Sequence, residues 1–149
     1  MSFELVSAST QTYRYVGSKP LIPDRDLCNQ LKEFASSSSS TQSRLCFHDT
    51  DDSCFHCMLV YHNIDHPVPW HMHPLKAESI HLLHGSANLL FKNSPTSEIF
   101  SKKLCSESSP MVYVPPKVLH KITIITDIFF IESTSGPFSS GSTIKFSDS

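Results

Sequence analysis

The sequence predicts a mainly β fold, an antiparallel sandwich or barrel carrying one N-terminal helix. Three observations predict it. From residue 44 onward, short apolar stretches recur about every ten residues between clusters of Asn, Asp, Ser, Pro or Gly, as antiparallel strands joined by turns do. One early segment, PDRDLCNQLKEFA, has helical spacing instead, with Leu27, Leu31 and Phe34 at i, i+4 and i+7. The chain has 149 residues, 39% hydrophobic and 17% charged, which suits one core of ordinary size and is too apolar for disorder.

In chain order, residues 1–22 read as an extended N-terminal segment in which TYRYVG, aromatic and β-branched, forms a short strand. Pro23 and Asp24 are helix-start residues, so the helix is placed over 24–35. The run SSSSSTQS over 36–43 is polar and low in complexity and reads as a flexible surface loop. The β region spans 44–134, with candidate strands RLCFH, FHCMLVYH, WHMH, ESIHLLH, ANLLFK, EIFSKKL, MVYVP, HKITII and DIFFIES. The remainder, 138–149, is a polar tail expected to be extended, and the whole chain 1–149 is read as a single domain.

Composition excludes several classes. The net charge is −2 with neutral histidines, so there is no basic footprint for nucleic acid or an anionic membrane. No window approaches the roughly 18 apolar residues of a membrane span. MSFELVSAST lacks the basic and apolar order of a secretory leader. Five cysteines, an odd number, then read as free thiols in a reducing compartment, and the expected location is cytoplasmic. Cys54 and Cys57 would face opposite sides of a strand, and no second CxxC completes a zinc site. Cys28, Cys46 and Cys105 read as small hydrophobes.

Chemistry concentrates in HMHPLKAESIHLLHG, residues 71–85. In a strand, i and i+2 share a side, so His71 and His73 project together as a two-point grip on a divalent cation. Pro74 ends that strand, and Glu78 opens the next, where its carboxylate can reach back to the same ion. An isolated HxH is more often a pair of ordinary histidines; the glutamate and the glycine that follow make this spacing specific.

The stretch from His71 to Gly85 resembles the first motif of the cupin superfamily, and VPPKVLH, with Pro115 and His120, resembles the second. Asp65, Lys117 and Ile124 depart from that pattern. The resemblance implies a double-stranded β-helix, the cupin jelly-roll barrel, and a metal set of His71, His73, Glu78 and His120. SRLCFH, FHCMLVYH, HMHP, LLHG and IESTSGPF resemble, more closely, the WbuC-type cupin-fold metalloproteins over residues 24–138. That likeness implies a setting in surface-polysaccharide, O-antigen-type synthesis.

The implied cofactor is one divalent metal ion per chain, with Fe, Mn, Zn, Ni or Co all suited to a mixed nitrogen and oxygen set. Octahedral preference would leave positions for water or substrate. Ile80, Leu82, Leu89, Phe91, Ile122 and Ile124 share inward parity with the ligands, as any barrel core requires. Tyr113, Tyr61 and Glu132 are candidates for proton transfer by chemistry alone. Arg44 and His48 are candidates for substrate binding, since an arginine at the mouth can grip a phosphate or carboxylate; a surface ion pair explains Arg44 equally well. His81 reads as a back-face residue and His84, some 20 Å along the strand from Glu78, as a rim residue. His48, His56, His62 and His66 fall at strand ends or turns.

Three functions follow. One is a metal-dependent isomerase or epimerase acting on a sugar or nucleotide-linked sugar. Another is an iron-dependent dioxygenase of a small molecule, and the third a non-catalytic, sugar-binding regulatory cupin. The expected partner is a small-molecule substrate of carbohydrate class. A homodimer would form through an exposed strand edge, with DIFFIES as the candidate.

Overall fold

The computed structural model describes residues 3–147. The first two residues of the expected N-terminal segment and the last two of the polar tail lie outside the described residues. Two sheets face each other as a jelly roll, with one helix packed on the outside, as the sequence predicts.

β1 (Phe3–Ser7) and β2 (Thr12–Tyr15) form a hairpin at the N-terminus. The helix α1 (Arg25–Ser37) starts where Asp24 caps it, its side chain accepting a hydrogen bond from Leu27 N–H at 3.0 Å. The following strands are β3 (Gln42–Cys46), β4 (Phe55–His62), β5 (Val68–Met72) and β6 (Glu78–His84). Then come β7 (Ser86–Lys92), β8 (Phe100–Cys105), β9 (Met111–Val114), β10 (Leu119–Ile124), β11 (Ile128–Ser135) and β12 (Ile144–Lys145). The larger sheet runs β1-β2-β3-β4-β11-β6-β9 and the smaller β12-β5-β10-β7-β8. Among the described residues no helix is long and apolar enough to cross a membrane.

Alternation along the strands builds two cores. Met58, Val60, Ile80, Leu82, Leu89, Ile122, Ile124 and Phe130 point between the sheets, with Phe91 packed against them. The opposite parity of β4 and β11, Leu59, Tyr61 and Phe129, meets Leu27, Leu31 and Ala35 of α1. Burying each leucine of that helix face contributes about 1.5–3 kcal/mol. Gly85 turns between β6 and β7 at φ +89°, and a Cβ there would lie 2.2 Å from Asp127 O.

Two expectations are corrected. The serine run is not one loop: Ser36 and Ser37 complete α1, Ser38 caps it, and Gln42 already belongs to β3. Its hydroxyls bind backbone instead of water, Ser36 to Lys32 O and the buried Ser43 to Leu31 O at 2.6 Å. The tail is extended, as expected, at β12, which pairs with β5. The DIFFIES segment is no edge, because β11 lies between β4 and β6 and its backbone pairs on both sides.

Candidate metal centre

Topology brings the four sequence-selected ligands together. β5 and β10 are neighbours in the smaller sheet, and their register sets His120 opposite His71. β6 lies in the facing sheet and presents Glu78 from its first position, while His73 follows the end of β5. One ligand atom from each of His71, His73, Glu78 and His120 lies within 4.8 Å of the others. His73, Glu78 and His120 are buried, His120 completely.

Hydrogen bonds orient all three rings the same way. Nδ1 of His71 lies 2.8 Å from Pro69 O, Nδ1 of His120 2.9 Å from Val118 O, and Nδ1 of His73 3.2 Å from Ser142 O. A carbonyl can only accept, so each Nδ1 carries the hydrogen and each Nε2 is left to turn toward the cluster. Thr143 Oγ1 adds a second contact to His73 Nδ1 at 3.0 Å. The segment supplying Ser142 and Thr143 crosses the mouth of the sheets, tied down by Phe138 N–H to Asp51 O, the β12–β5 pairing and Phe146 N–H to Trp70 O.

These contacts also test whether a cation fits. His120 faces acceptors at both nitrogens, because its Nε2 lies 2.8 Å from Glu78 Oε1. His73 does the same: its Nε2 sits 3.1 Å from Glu78 Oε2 but off the line of a hydrogen bond, leaving a buried nitrogen without a hydrogen-bond partner. A neutral imidazole has one N–H and cannot serve two acceptors. A cation between the Nε2 atoms and the carboxylate accepts lone pairs from both and leaves every Nδ1–H for its carbonyl. The residues therefore fit a divalent ion, and when bound it would supply Lewis-acid stabilisation of developing negative charge.

Electrostatics agree. Burial, reinforced by His120, pushes His71 down to about 4, so that ring is neutral and available as a ligand at pH 7. Burial opposes ionisation of Glu78, but His120 and His73 hold its pKa below the ordinary carboxylate range. Burial also acts against a charged His73, and Glu78 more than offsets it, so its net shift is upward.

A cavity of about 440 Å³ opens beside His73. Arg44, His48 and Glu132 all line it. Burial first, then the Glu78 charge, push Glu132 up to about 7. His48 stacks on His56 with ring centroids 3.9 Å apart. The two tyrosines sit elsewhere. Tyr61 faces α1 and donates to Asp127 Oδ2 at 3.0 Å; burial and that bond push it up to about 12. Tyr113 is 61% exposed, on the parity of β9 opposite to Val112 and Val114. A second cavity, about 320 Å³ and lined by Leu89, Phe91, Val112, Tyr113, Val118 and His120, approaches from the β8–β9 side, so Tyr113 shares a cavity with one residue of the cluster.

Sequence reasoning left His56 unselected among four histidines at strand ends or turns and passed over Lys76, Ser142 and Thr143. His56 was findable, since it shares parity with Met58 and Val60 in FHCMLVYH. The other three depend on how loops fold across the mouth, which no local pattern encodes. Lys117 stands where the second motif has glycine. It adopts φ +68°, the conformation glycine would favour, and its N–H donates to His73 O at 2.9 Å.

A jelly roll with three inward imidazoles and one carboxylate at its mouth defines a cupin-type fold with a candidate metal centre. The chain belongs to the family described as a domain of unknown function, DUF6016, whose model matches residues 23–102, more than half its length. No curated protein matches its sequence. Among solved structures it is similar to the capsular polysaccharide assembling protein CapF from Staphylococcus aureus, with 19% identity over 71% of this chain and 32% of that one and a TM-score of 0.62. It also resembles an oxalate decarboxylase from Lactobacillus farciminis, with 18% identity, 63% and 27% coverage and a TM-score of 0.52. KdgF from Halomonas sp. gives 14%, 67% and 82%, with a TM-score of 0.51. These likenesses show the fold. The chain spans about a third of the CapF length.

Proposed function

We propose that this chain is a metal-dependent cupin of the WbuC type, acting on a sugar or nucleotide-linked sugar of surface-polysaccharide synthesis by isomerisation, epimerisation or a related enolisation. The observation that carries the reading is the conflict at His73 and His120, whose nitrogens face acceptors on both sides until a cation takes Nε2. The polysaccharide setting is supported by the sequence resemblance and by the fold shared with CapF.

In this reading His71, His73, Glu78 and His120 hold the ion. Glu132, facing the same cavity with a pKa near neutrality, takes and returns the substrate proton. Arg44 and His48, which line the same cavity, orient the substrate. The experiment is turnover of a panel of nucleotide sugars by wild type, His73→Ala and chelator-stripped protein. Loss of turnover in the last two is expected; activity persisting in fully stripped protein contradicts the proposal.

The apolar cavity beside His120 favours one alternative, an iron-dependent dioxygenase, because dioxygen partitions into apolar space. Oxygen uptake by the Fe(II)-loaded chain with small carbonyl or thiol compounds would support that alternative.

A further inference from the structure

We propose that the cavity beside His73 binds a polyhydroxylated anion, a sugar bearing a carboxylate or phosphate, whose charged group docks between Arg44 and Lys76. The inference rests on the reading above and deepens it by fixing the charge of the substrate.

Charge balance carries the argument. Arg44 and Lys76 both line the cavity. Other cations have carboxylate partners, Arg14 with Asp51 and Lys32 with Asp127. Among the described residues neither Arg44 nor Lys76 has a carboxylate at ion-pair distance. Arg44 holds only a neutral partner, its Nη2 donating to Gln42 Oε1 at 2.8 Å, and its Nε is buried without a partner. A half-buried guanidinium with a buried Nε left unpaired and no anion beside it is a partly desolvated charge that an anionic acceptor would stabilise. Asp51 also lines the cavity, but its charge is met by Arg14 at 3.0 Å, and Glu132 offsets at most one of the two remaining charges. The cavity therefore stays positive with Glu132 ionised, and a divalent ion balanced by Glu78 alone would make it more so. An anion answers that excess, and a guanidinium with a neighbouring ammonium suits carboxylate and phosphate oxygens.

The rest of the wall suits a sugar more than a bare anion. Ser7, Thr12 and Thr143 bring hydroxyls to the same cavity, and these can donate to or accept from ligand hydroxyls. Its volume of about 440 Å³ lies within the range of small-ligand sites.

The test is calorimetric titration of the full chain, metal-free and Zn²⁺-loaded, with glucuronate, glucose 6-phosphate and glucose. Both forms are expected to bind at least one of the two anions about tenfold or more tightly than glucose. Whichever anion binds more tightly identifies the charged group. That preference is expected to fall about tenfold in Arg44→Gln and in Lys76→Gln, the latter lying in a loop where folding is not at stake. Equal affinity for glucose and both anions, no binding of any of the three, or a preference intact in both variants overturns the inference. An anion preference in a chain that takes up no metal would keep this inference and remove the metal-dependent reading. Metal uptake with equal binding of all three sugars would do the reverse.

Discussion

The two ends of the β vessel both bury histidines, yet only one end is organised as a site. At the mouth, His71, His73 and His120 each anchor Nδ1 on a backbone oxygen, and Glu78 sits among their Nε2 atoms. At the far end, His62 and His66 lie tilted by 34° with centroids 3.9 Å apart, within reach of the Arg44 charge, with no carboxylate between them. Both nitrogens of His62 are buried and unpartnered, and His66 holds only Thr41, at 2.8 Å. Burial keeps the far-end rings neutral, aided by Arg44. Histidine density is therefore a poor marker of a metal centre. A carboxylate and a common orientation of the rings are what separate the two ends.

The largest expected effect breaks the mouth. Glu78→Gln removes the only anionic ligand and turns one acceptor into a donor facing the imidazoles. Bound metal, read by elemental analysis after dialysis, is expected to fall to trace level while the fold, read by circular dichroism, persists. Next in size is Thr143→Val, which removes one of the two contacts that orient His73. By analogy with other groups that orient metal ligands, Co²⁺ affinity is expected to weaken about tenfold, and Thr143→Ser to restore it together with the wild-type cobalt absorption spectrum. An unchanged affinity in Thr143→Val would show that the Ser142 carbonyl suffices.

The far end answers to pH instead. His66 is held down to about 4 by burial first and then Arg44, and His62 is also lowered, again chiefly by burial. In the unfolded chain both take up protons near the ordinary value of about 6.5. Below that pH the unfolded state binds more protons, so stability is full above it and is lost as pH falls toward 4. Urea unfolding of metal-free protein at pH 7.5, 6 and 5 is expected to show this decline, and His66→Gln to flatten it. The smallest effect is expected from His62→Leu. Replacing an unpartnered buried ring by an apolar side chain should leave metal content unchanged and alter stability by about 1 kcal/mol or less, toward greater stability.

The sequence was most legible where local pattern decides the outcome. FHCMLVYH and ESIHLLH match β4 and β6 residue for residue, because alternation and flanking turn residues bound them. The four-residue cluster was legible because HxH on a strand, a carboxylate opening the next one and a histidine after VPPKVL are local chemistry. β12 was not legible: Ile144 and Lys145 are both exposed, and backbone pairing with β5 is all that makes them a strand. β1 was equally faint, since FELVS buries no residue fully and gains its place by pairing with β2. The serine run misled because its hydroxyls find carbonyls on α1 that composition cannot show. Lys76, Ser142 and Thr143 reach the site only through the path of loops across the mouth.

The central claim is that four side chains, distant along the chain, hold one cation between them. Elemental analysis of protein purified without an affinity tag tests it most directly. The account predicts about one divalent ion per chain, as a cupin centre of this donor set would hold, and its loss in His120→Ala. Metal at trace level in wild-type protein that also fails to take up added Zn²⁺, Mn²⁺ or Fe²⁺ would contradict it.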